Sequence, residues 1–163
     1  ITADNARLVS NLHANLGGLY RMNGHPDLAR EHMEKSISLL DQFNLLHIND
    51  SIPQIANYAM FLTEQQEPER GISELQKLSG IIKEYHSDDC LDYAKVQETL
   101  GTIYLMTANL PQAKTHFKRA FKIYEKIWAD EPEMIEAKYQ EIQELYPQIG
   151  FSIGKTLSGL LTK

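Results

Sequence analysis

Residues 96–124, VQETLGTIYLMTANLPQAKTHFKRAFKIY, contain the pattern that decides the predicted fold. Apolar residues recur at helical spacing in two segments, which are separated by a break at Thr107–Asn109. Pro111 falls in the first turn of the second segment, where a helix tolerates a missing N–H group. Gly101 and Ala113 are small enough to let two helices approach closely. The stretch therefore predicts a pair of antiparallel helices, that is, a helical hairpin.

The same pattern recurs upstream with a spacing of 42 residues. Small residues follow a proline within three positions at Ala29, Gly71 and Ala113. Three other sets of positions keep the same spacing: Leu16-Gly17, Tyr58-Ala59 and Leu100-Gly101; Met33, Leu75 and Phe117; Ser36, Leu78 and Ala120. A fixed period of about 20–50 residues is the signature of a repeat protein in which successive units stack.

The first predicted helix runs from about Asp4 to Met22. Its apolar stripe is formed by Leu8, Leu12, Leu16 and Leu19. The pattern weakens after Trp128, and the register then places Gln143 and Lys155 at positions that small residues occupy in the other repeats. We interpret residues 131–163 as a degenerate fourth hairpin that caps the stack, since terminal repeats are atypical.

These spacings resemble a known family. Leu100-Gly101 is followed by Tyr104, then by Ala113 nine residues later, Phe117 and Ala120, which is similar to the tetratricopeptide repeat pattern. Residues 96–124 match it almost completely, residues 12–36 match it well, and residues 54–79 match in pattern only. The 42-residue spacing and the stretches NLHANLGGLY and KIYEKIWADEPEMIEA resemble the kinesin light chain type of repeat.

The resemblance implies an all-α fold, a right-handed superhelical solenoid of stacked antiparallel hairpins. It predicts a single domain over residues 1–163. Its repeats are expected at about 5–46, 47–88 and 89–130, with the degenerate capping hairpin at 131–163.

Composition limits the classes of function. The chain has 163 residues and a net charge of −6 with both signs scattered, so a nucleic-acid partner is not expected. No segment approaches a membrane span, and no signal peptide opens the sequence. The single Cys90 favours a reducing compartment, and we predict a cytoplasmic location. Because the chain begins Ile-Thr without Met, we interpret it as a fragment of a longer protein.

No pattern predicts catalysis, a cofactor or a metal. Residues 150–156, GFSIGKT, lack the four-residue spacing between glycines that a phosphate-binding loop needs. The group His86, Asp88, Asp89 and Cys90 lacks the second ligand pair of a structural zinc site. The aromatic residues lie at helical spacing and are expected in the core. The sequence therefore predicts that the chain is not an enzyme, with no catalytic, cofactor-binding or metal-binding residues.

In the family that this chain resembles, the first helix of each hairpin lines a concave surface. The residue before the Leu of Leu-Gly should face that surface, which places Asn15, Asn57 and Thr99 there, one in each repeat. The predicted groove comprises Asn11, Asn15, Gly18, Arg21, Met22, Asn57, Met60, Lys95, Thr99, Thr102 and Met106, with Pro53 beside Asn57.

A carboxamide carries both a donor and an acceptor, so it can bridge the backbone of an extended peptide. Kinesin light chain repeats, which these resemble, carry an Asn at the matching place and bind extended cargo peptides. The predicted function is thus a scaffold or adaptor module whose groove holds a peptide segment of a protein partner. Alternatively, the asparagines bond to neighbouring helices and fix the stacking.

Two other roles for the domain stay open. It could serve oligomerisation or packing, with a homo-oligomer as one outcome, or it could be the regulatory half of a larger signalling protein. Binding of chaperone C termini is not expected. Ala14 and Gly18 occupy the positions where tetratricopeptide domains of that type carry a Lys and an Asn.

Overall fold

A computed structural model describes residues 1–147, which form seven α-helices and no β-strand. The helices are α1 (Ala3–Met22), α2 (Pro26–Gln42), α3 (Ser51–Glu64), α4 (Pro68–Tyr85), α5 (Leu91–Met106), α6 (Leu110–Ile127) and α7 (Pro132–Leu145). The predicted all-α fold of helical hairpins is confirmed. The second helix of the predicted capping hairpin and the 150–156 segment lie outside the described residues.

The chain divides into two compact units. Unit 1 covers residues 1–88 and contains the hairpins α1–α2 and α3–α4; unit 2 begins at Asp89 and contains α5, α6 and α7. The single domain over 1–163 and its repeat boundaries stay predictions. No helix in residues 1–147 is long and apolar enough to cross a membrane.

Each hairpin is held by the contact of a small residue with its partner helix. A methyl group added to Gly17 would lie 2.6 Å from Met33 Cγ, and one added to Gly101 would lie 2.9 Å from Phe117 Cδ2. In the middle hairpin the glycine is on the second helix. A methyl group on Gly71 would lie 2.6 Å from the carbonyl oxygen of Ala59. The two helices of each hairpin thus approach closely whether the glycine lies on the first helix or on the second.

The turns inside the hairpins also repeat at 42 residues. Gly24, Gln66 and Ala108 all adopt left-handed backbone conformations, with φ of 75°, 64° and 58°. A proline follows in the first turn of each next helix. Gln66 and Ala108 carry side chains, which disfavour this conformation. Their position in the repeat, and not their residue type, therefore determines the turn.

The apolar stripe predicted on the first helix does not lie in the core of the described residues. Leu8, Leu12, Leu16 and Leu19 are 63, 54, 39 and 55% exposed. The buried residues of α1 are Ala6, Ser10 and Gly17. A helix that approaches its partner this closely has small residues at the contact, so its large apolar residues lie on another face.

The core of unit 1 joins α3 to the first hairpin. Ala29 and Met33 of α2 pack with Tyr58, Phe61 and Leu62 of α3. The edge of this core is polar. The Tyr58 hydroxyl donates to Glu34 at 2.7 Å, and Arg30 pairs with Glu67.

Unit 2 has an aromatic core, as the sequence predicts. Phe117, Phe121 and Tyr124 are buried, and Ile142 of α7 joins the cluster around Phe117. Tyr104, Tyr139 and Tyr146 pack against this cluster and are partly buried. The Tyr124 hydroxyl donates to Glu98 at 2.6 Å, and Lys138 of α7 donates to the same carboxylate at 3.1 Å. Burial and the Glu98 charge raise the pKa of Tyr124 well above its ordinary value.

Polar pairs occupy matching places in the first and third hairpins. His13 Nδ1 lies 2.8 Å from His32 Nδ1, and His116 Nδ1 lies 2.9 Å from Gln97 Oε1. In each pair, the residue that comes later in the chain stacks on a tyrosine. His32 stacks on Tyr20, and His116 stacks on Tyr104. His13 and His116 therefore contribute to packing.

Two glycines of α4 provide a matched test of the close approach. In Gly71→Ala the new methyl group meets the Ala59 backbone, which cannot move away as a side chain could. We expect a loss of about 1–3 kcal/mol in the free energy of unfolding. At Gly80 the same change meets no atom within 4 Å, so it should stabilise the helix by about 0.5–1 kcal/mol. Urea denaturation followed by circular dichroism measures both, and equal effects would contradict this account.

The histidine pair should make stability depend on pH. Burial, and then the positive charges of Lys35 and His32, lower the pKa of His13 in the folded protein. The unfolded chain therefore binds this proton more readily, so stability is complete above about pH 6.5 and is lost as the pH falls below it. We expect a lower Tm in mildly acidic than in neutral buffer, and a smaller difference for His13→Asn. An unchanged difference in the variant would show that other groups cause it.

Candidate functional site

Three hydrogen-bonded pairs join α1 to α3 or to Asp50, the residue that precedes α3, and the two residues of each pair are 43 positions apart. Arg7 Nε donates to Asp50 Oδ2 at 2.6 Å, Gln54 Nε2 donates to Asn11 Oδ1 at 2.5 Å, and Arg21 Nε donates to Glu64 Oε2 at 2.8 Å. The ion pairs are at the two ends and the amide pair lies between them. We call this row the α1–α3 seam.

A buried network fixes the seam to α2. Ser10 Oγ and Ser36 Oγ both donate to Gln54 Oε1, the former at 2.8 Å. Gln54 in turn donates to Asn11, and Asn11 Nδ2 donates to Asp50 at 3.2 Å. Both serines and Gln54 are buried. Because buried polar groups are costly unless satisfied, this network specifies one position of α3 on the first hairpin.

At one end of the seam, electrostatics favour the charged form of the Asp50 carboxylate. The Arg7 guanidinium, and then the Asn11 amide, hold the pKa of Asp50 below its ordinary value. Asp50 correspondingly raises the pKa of Arg7. The end of the seam at Asp50 therefore carries a matched pair of charges.

Two cavities open along the seam. One of about 340 Å³ is lined by Asn11, Ala14, Asn15, Asp50, Pro53, Gln54 and Asn57. The other, of about 170 Å³, is lined by Ala14, Gly18, Arg21, Met22, Met33, Ser36, Gln54 and Asn57. They share Ala14, Gln54 and Asn57, and we call them together the α1–α3 groove. Ala14 and Gly18 lie between the polar pairs of α1, and their small size leaves this space open.

The structure brings together most of the groove residues predicted in unit 1. The groove is lined by six of them, with Pro53: Asn11, Asn15, Gly18, Arg21, Met22 and Asn57. Met60 is half-buried on α3 and lines neither cavity.

The groove residues predicted in unit 2 lie on α5. The Thr99 and Thr102 hydroxyls donate to carbonyl oxygens of their own helix, at Lys95 (3.0 Å) and Glu98 (3.1 Å). Lys95 lies 3.9 Å from the Asp92 carboxylate, and Met106 is exposed at the end of the helix. Both hydroxyl protons are thus already used within α5.

The asparagines of the groove differ in their environment. Asn11 belongs to the network beneath it, whereas Asn15 and Asn57 are exposed. Neither the Asn15 nor the Asn57 side chain has a hydrogen-bond partner among residues 1–147. Their carboxamides therefore keep donors and acceptors available to a ligand.

Sequence reasoning missed Ser10, Ser36 and Gln54, which form the floor of the groove. A signal was present at Ser36, because the corresponding positions in the other repeats are Leu78 and Ala120. A hydroxyl at a core position of the repeat requires a buried partner. The partner could not be identified from spacing alone, since it lies on a different hairpin.

The loop residues considered for a metal have other partners. His86 Nε2 lies 2.9 Å from the His47 carbonyl oxygen. Cys90 Sγ accepts from the Tyr93 N–H at 3.4 Å and caps α5, and Asp89 pairs with Lys126. Among residues 1–147, no three His, Cys, Asp or Glu side chains are grouped to hold a metal ion.

Residues 51–126, from the start of α3 to near the end of α6, match the family model of the tetratricopeptide repeat. These residues are tetratricopeptide repeats. No curated protein matches the chain. The first hairpin lies outside the matched range but keeps the same 42-residue register at Gly17, Ala29 and Gly24.

Tetratricopeptide repeats are non-catalytic modules that mediate protein–protein interaction. Function in such repeats is located in the surfaces that the helices present and not in the fold itself.

We expect the polar residues of the groove floor to stabilise the fold, and we expect the exposed asparagines to contribute little to stability. Gln54→Leu removes the acceptor shared by Ser10 and Ser36 and the donor to Asn11, so we expect a loss of about 1–3 kcal/mol in the free energy of unfolding. Asn57→Ala, one turn further along α3, should leave stability almost unchanged. Chemical denaturation of both variants tests this. A larger loss for Asn57→Ala than for Gln54→Leu would reverse the assignment.

Proposed function

We propose that the α1–α3 groove holds an extended peptide segment of a protein partner, and that the chain acts as a scaffold or adaptor. The observation that carries this proposal is the pair of exposed carboxamides, Asn15 and Asn57, above a floor whose polar groups are already satisfied. A peptide that enters the groove loses water partners from its own N–H and C=O groups. The two amides can replace those partners.

The hydrogen-bonded floor lowers the entropic cost of binding a peptide. Asn11 and Gln54 are tied to Asp50, Ser10 and Ser36, so binding does not have to order them. A site whose shape exists before binding loses less conformational entropy when it is filled. The smaller cavity adds apolar surface from Met22 and Met33, which suits an apolar side chain of the peptide.

The proposal is confined to unit 1. On α5 the Thr99 and Thr102 hydroxyl groups donate within their helix, and Lys95 lies near Asp92. These side chains are less suited than an unpaired carboxamide to bridging a peptide backbone. A cytoplasmic location would suit a partner of this kind.

Peptides selected from a phage-displayed random library on the complete chain provide the probe. Their affinities for the wild type and for Asn15→Ala with Asn57→Ala are then measured by fluorescence polarisation. If each amide contributes about 1 kcal/mol, the double change should weaken binding by roughly tenfold to thirtyfold, with little change in Tm.

Gln76→Ala is the matched control, because Gln76 is exposed on α4 and does not line the groove. It should bind the selected peptides as the wild type does. A double variant with a much lower Tm and unchanged binding per folded molecule would make the asparagines structural. Selection without any enriched peptide, or equal affinity in the double variant, would contradict the groove proposal.

A further inference from the structure

The larger cavity of the α1–α3 groove has an anionic lining. Asp50 supplies a carboxylate, and four other lining residues supply carboxamides: Asn11, Asn15, Gln54 and Asn57. Among residues 1–147, no Lys, Arg or His lines this cavity. The residues around it therefore carry one negative charge and no positive charge.

One oxygen of Asp50 is free to accept another hydrogen bond. Arg7 Nε donates to Asp50 Oδ2 at 2.6 Å, and Asn11 Nδ2 donates to the same atom at 3.2 Å. Within residues 1–147, no group donates to Asp50 Oδ1. Arg7 and then Asn11 hold the pKa of Asp50 below its ordinary value, so the carboxylate is charged at neutral pH. Asp50 thus has an available acceptor as well as a negative charge.

Elsewhere in unit 1, one carboxylate binds two cationic side chains. Glu67 Oε2 accepts from Arg70 Nη1 at 2.6 Å, and Glu67 Oε1 pairs with Arg30. Asp50 shows half of this arrangement, because Arg7 pairs with Oδ2 alone. A second cation at Asp50 Oδ1 would complete the same arrangement as at Glu67.

The available hydrogen-bonding groups of the larger cavity suit a cationic side chain. Asp50 Oδ1 and the carboxamide oxygens of Asn15 and Asn57 are acceptors without a partner in residues 1–147. A lysine ammonium group has three donors, an arginine guanidinium group has five, and neither has an acceptor. Each carboxamide oxygen has two lone pairs, so it can accept from the backbone of a peptide and from such a side chain.

The charge of unit 1 as a whole also favours a cationic ligand. Residues 1–88 contain seven Lys and Arg and twelve Asp and Glu, which gives a net charge of −5. A negative field around a cleft attracts positively charged ligands and repels negatively charged ones. A basic peptide segment therefore meets complementary charge both at the cavity and around it.

The smaller cavity has a different chemistry. Met22 and Met33 supply apolar thioether side chains, and Gly18 leaves space between them. Arg21 also lines this cavity, but its Nε and Nη2 atoms donate to both oxygens of Glu64. Because Glu64 balances the charge of Arg21, the cavity suits an apolar side chain.

The offset between the two cavities determines the spacing of the two peptide side chains. On α1 the larger cavity extends from Asn11 to Asn15, and the smaller one extends from Ala14 to Met22. The centres of these two stretches are about five residues apart, or about 8 Å along the helix. An extended peptide covers about 6.6 Å in two residues, and its alternate side chains point to the same face.

We propose that the peptide bound in the α1–α3 groove carries a lysine or arginine two residues away from a large apolar residue. The cationic side chain enters the larger cavity and pairs with Asp50 Oδ1. The apolar side chain enters the smaller cavity beside Met22 and Met33. This specificity rests on the proposed binding of a peptide in the groove, and it makes the partner segment basic and apolar, not acidic.

The peptides selected on the complete chain provide the first test. Those that the Asn15→Ala and Asn57→Ala double variant binds more weakly should be enriched in Lys or Arg, with an apolar residue two positions away. Groove-dependent peptides without this enrichment would overturn the basic and apolar specificity and leave groove binding intact. A selection without any enriched peptide would overturn both proposals.

A double-mutant cycle tests the contact with Asp50. The Lys or Arg of a selected peptide is replaced by glutamine, and the protein carries Asp50→Asn. By fluorescence polarisation, each single change should weaken binding about tenfold, and both together should weaken it no further, because they remove the same charged hydrogen bond. The peptide change leaves the protein unaltered, so a loss of fold cannot explain its effect. Losses that simply add would overturn the contact with Asp50.

Glu84→Gln is the matched control for charge. Glu84 is exposed on α4 and lines neither cavity, so the variant should bind the basic peptide as the wild type does. The same loss in Glu84→Gln as in Asp50→Asn would overturn the proposal, since net charge alone would then explain the effect. Arg7→Gln should bind the basic peptide more tightly, because it removes the cation that shares Asp50. Weaker binding would instead indicate that Arg7 contacts an anionic group of the peptide, which would also overturn the proposal.

Discussion

The contact between a small residue and the helix opposite it is the constraint on which the rest of this structure depends. Gly17, Gly71 and Gly101 leave no room for even a methyl group. A hairpin this tight cannot place leucines at its contact, so the large apolar residues of α1 occupy another face. The same constraint explains why the glycine can move from the first helix of a hairpin to the second, since only the separation of the helices must be kept.

Periodicity made much of the fold predictable. The 42-residue spacing locates the hairpins, their small contact residues and their turns, because every repeat packs its two helices in a similar way. It failed for the direction of the leucines on α1. A stripe at helical spacing shows that a helix has an apolar face, but not whether another element covers it. That information comes from comparison with α3, whose equivalent residues Tyr58 and Phe61 are buried.

The candidate site was predictable only in part, for a different reason. Placing Asn15 and Asn57 on the groove requires the helical period and the concave surface that the family resemblance implies, whereas the floor depends on groups from three helices. Gln54 satisfies Ser10 and Ser36 together, and no sequence spacing shows that these residues meet. The repeat spacing also did not reveal that the predicted groove residues of the two units differ in their hydrogen bonding. A threonine at the place of an asparagine can bond to its own helix, as Thr99 does, and an asparagine at that place does so less readily.

The first helix shows how one repeat can present three surfaces of different chemistry. Gly17 meets α2, the amide and ionic pairs meet α3, and the leucines face outward. The equivalent face of α3 packs against the preceding hairpin. Its residues are Gln54, Tyr58 and Phe61, and charged residues lie at its edge. A buried contact between repeats of one chain can use such charges, because each has a fixed partner.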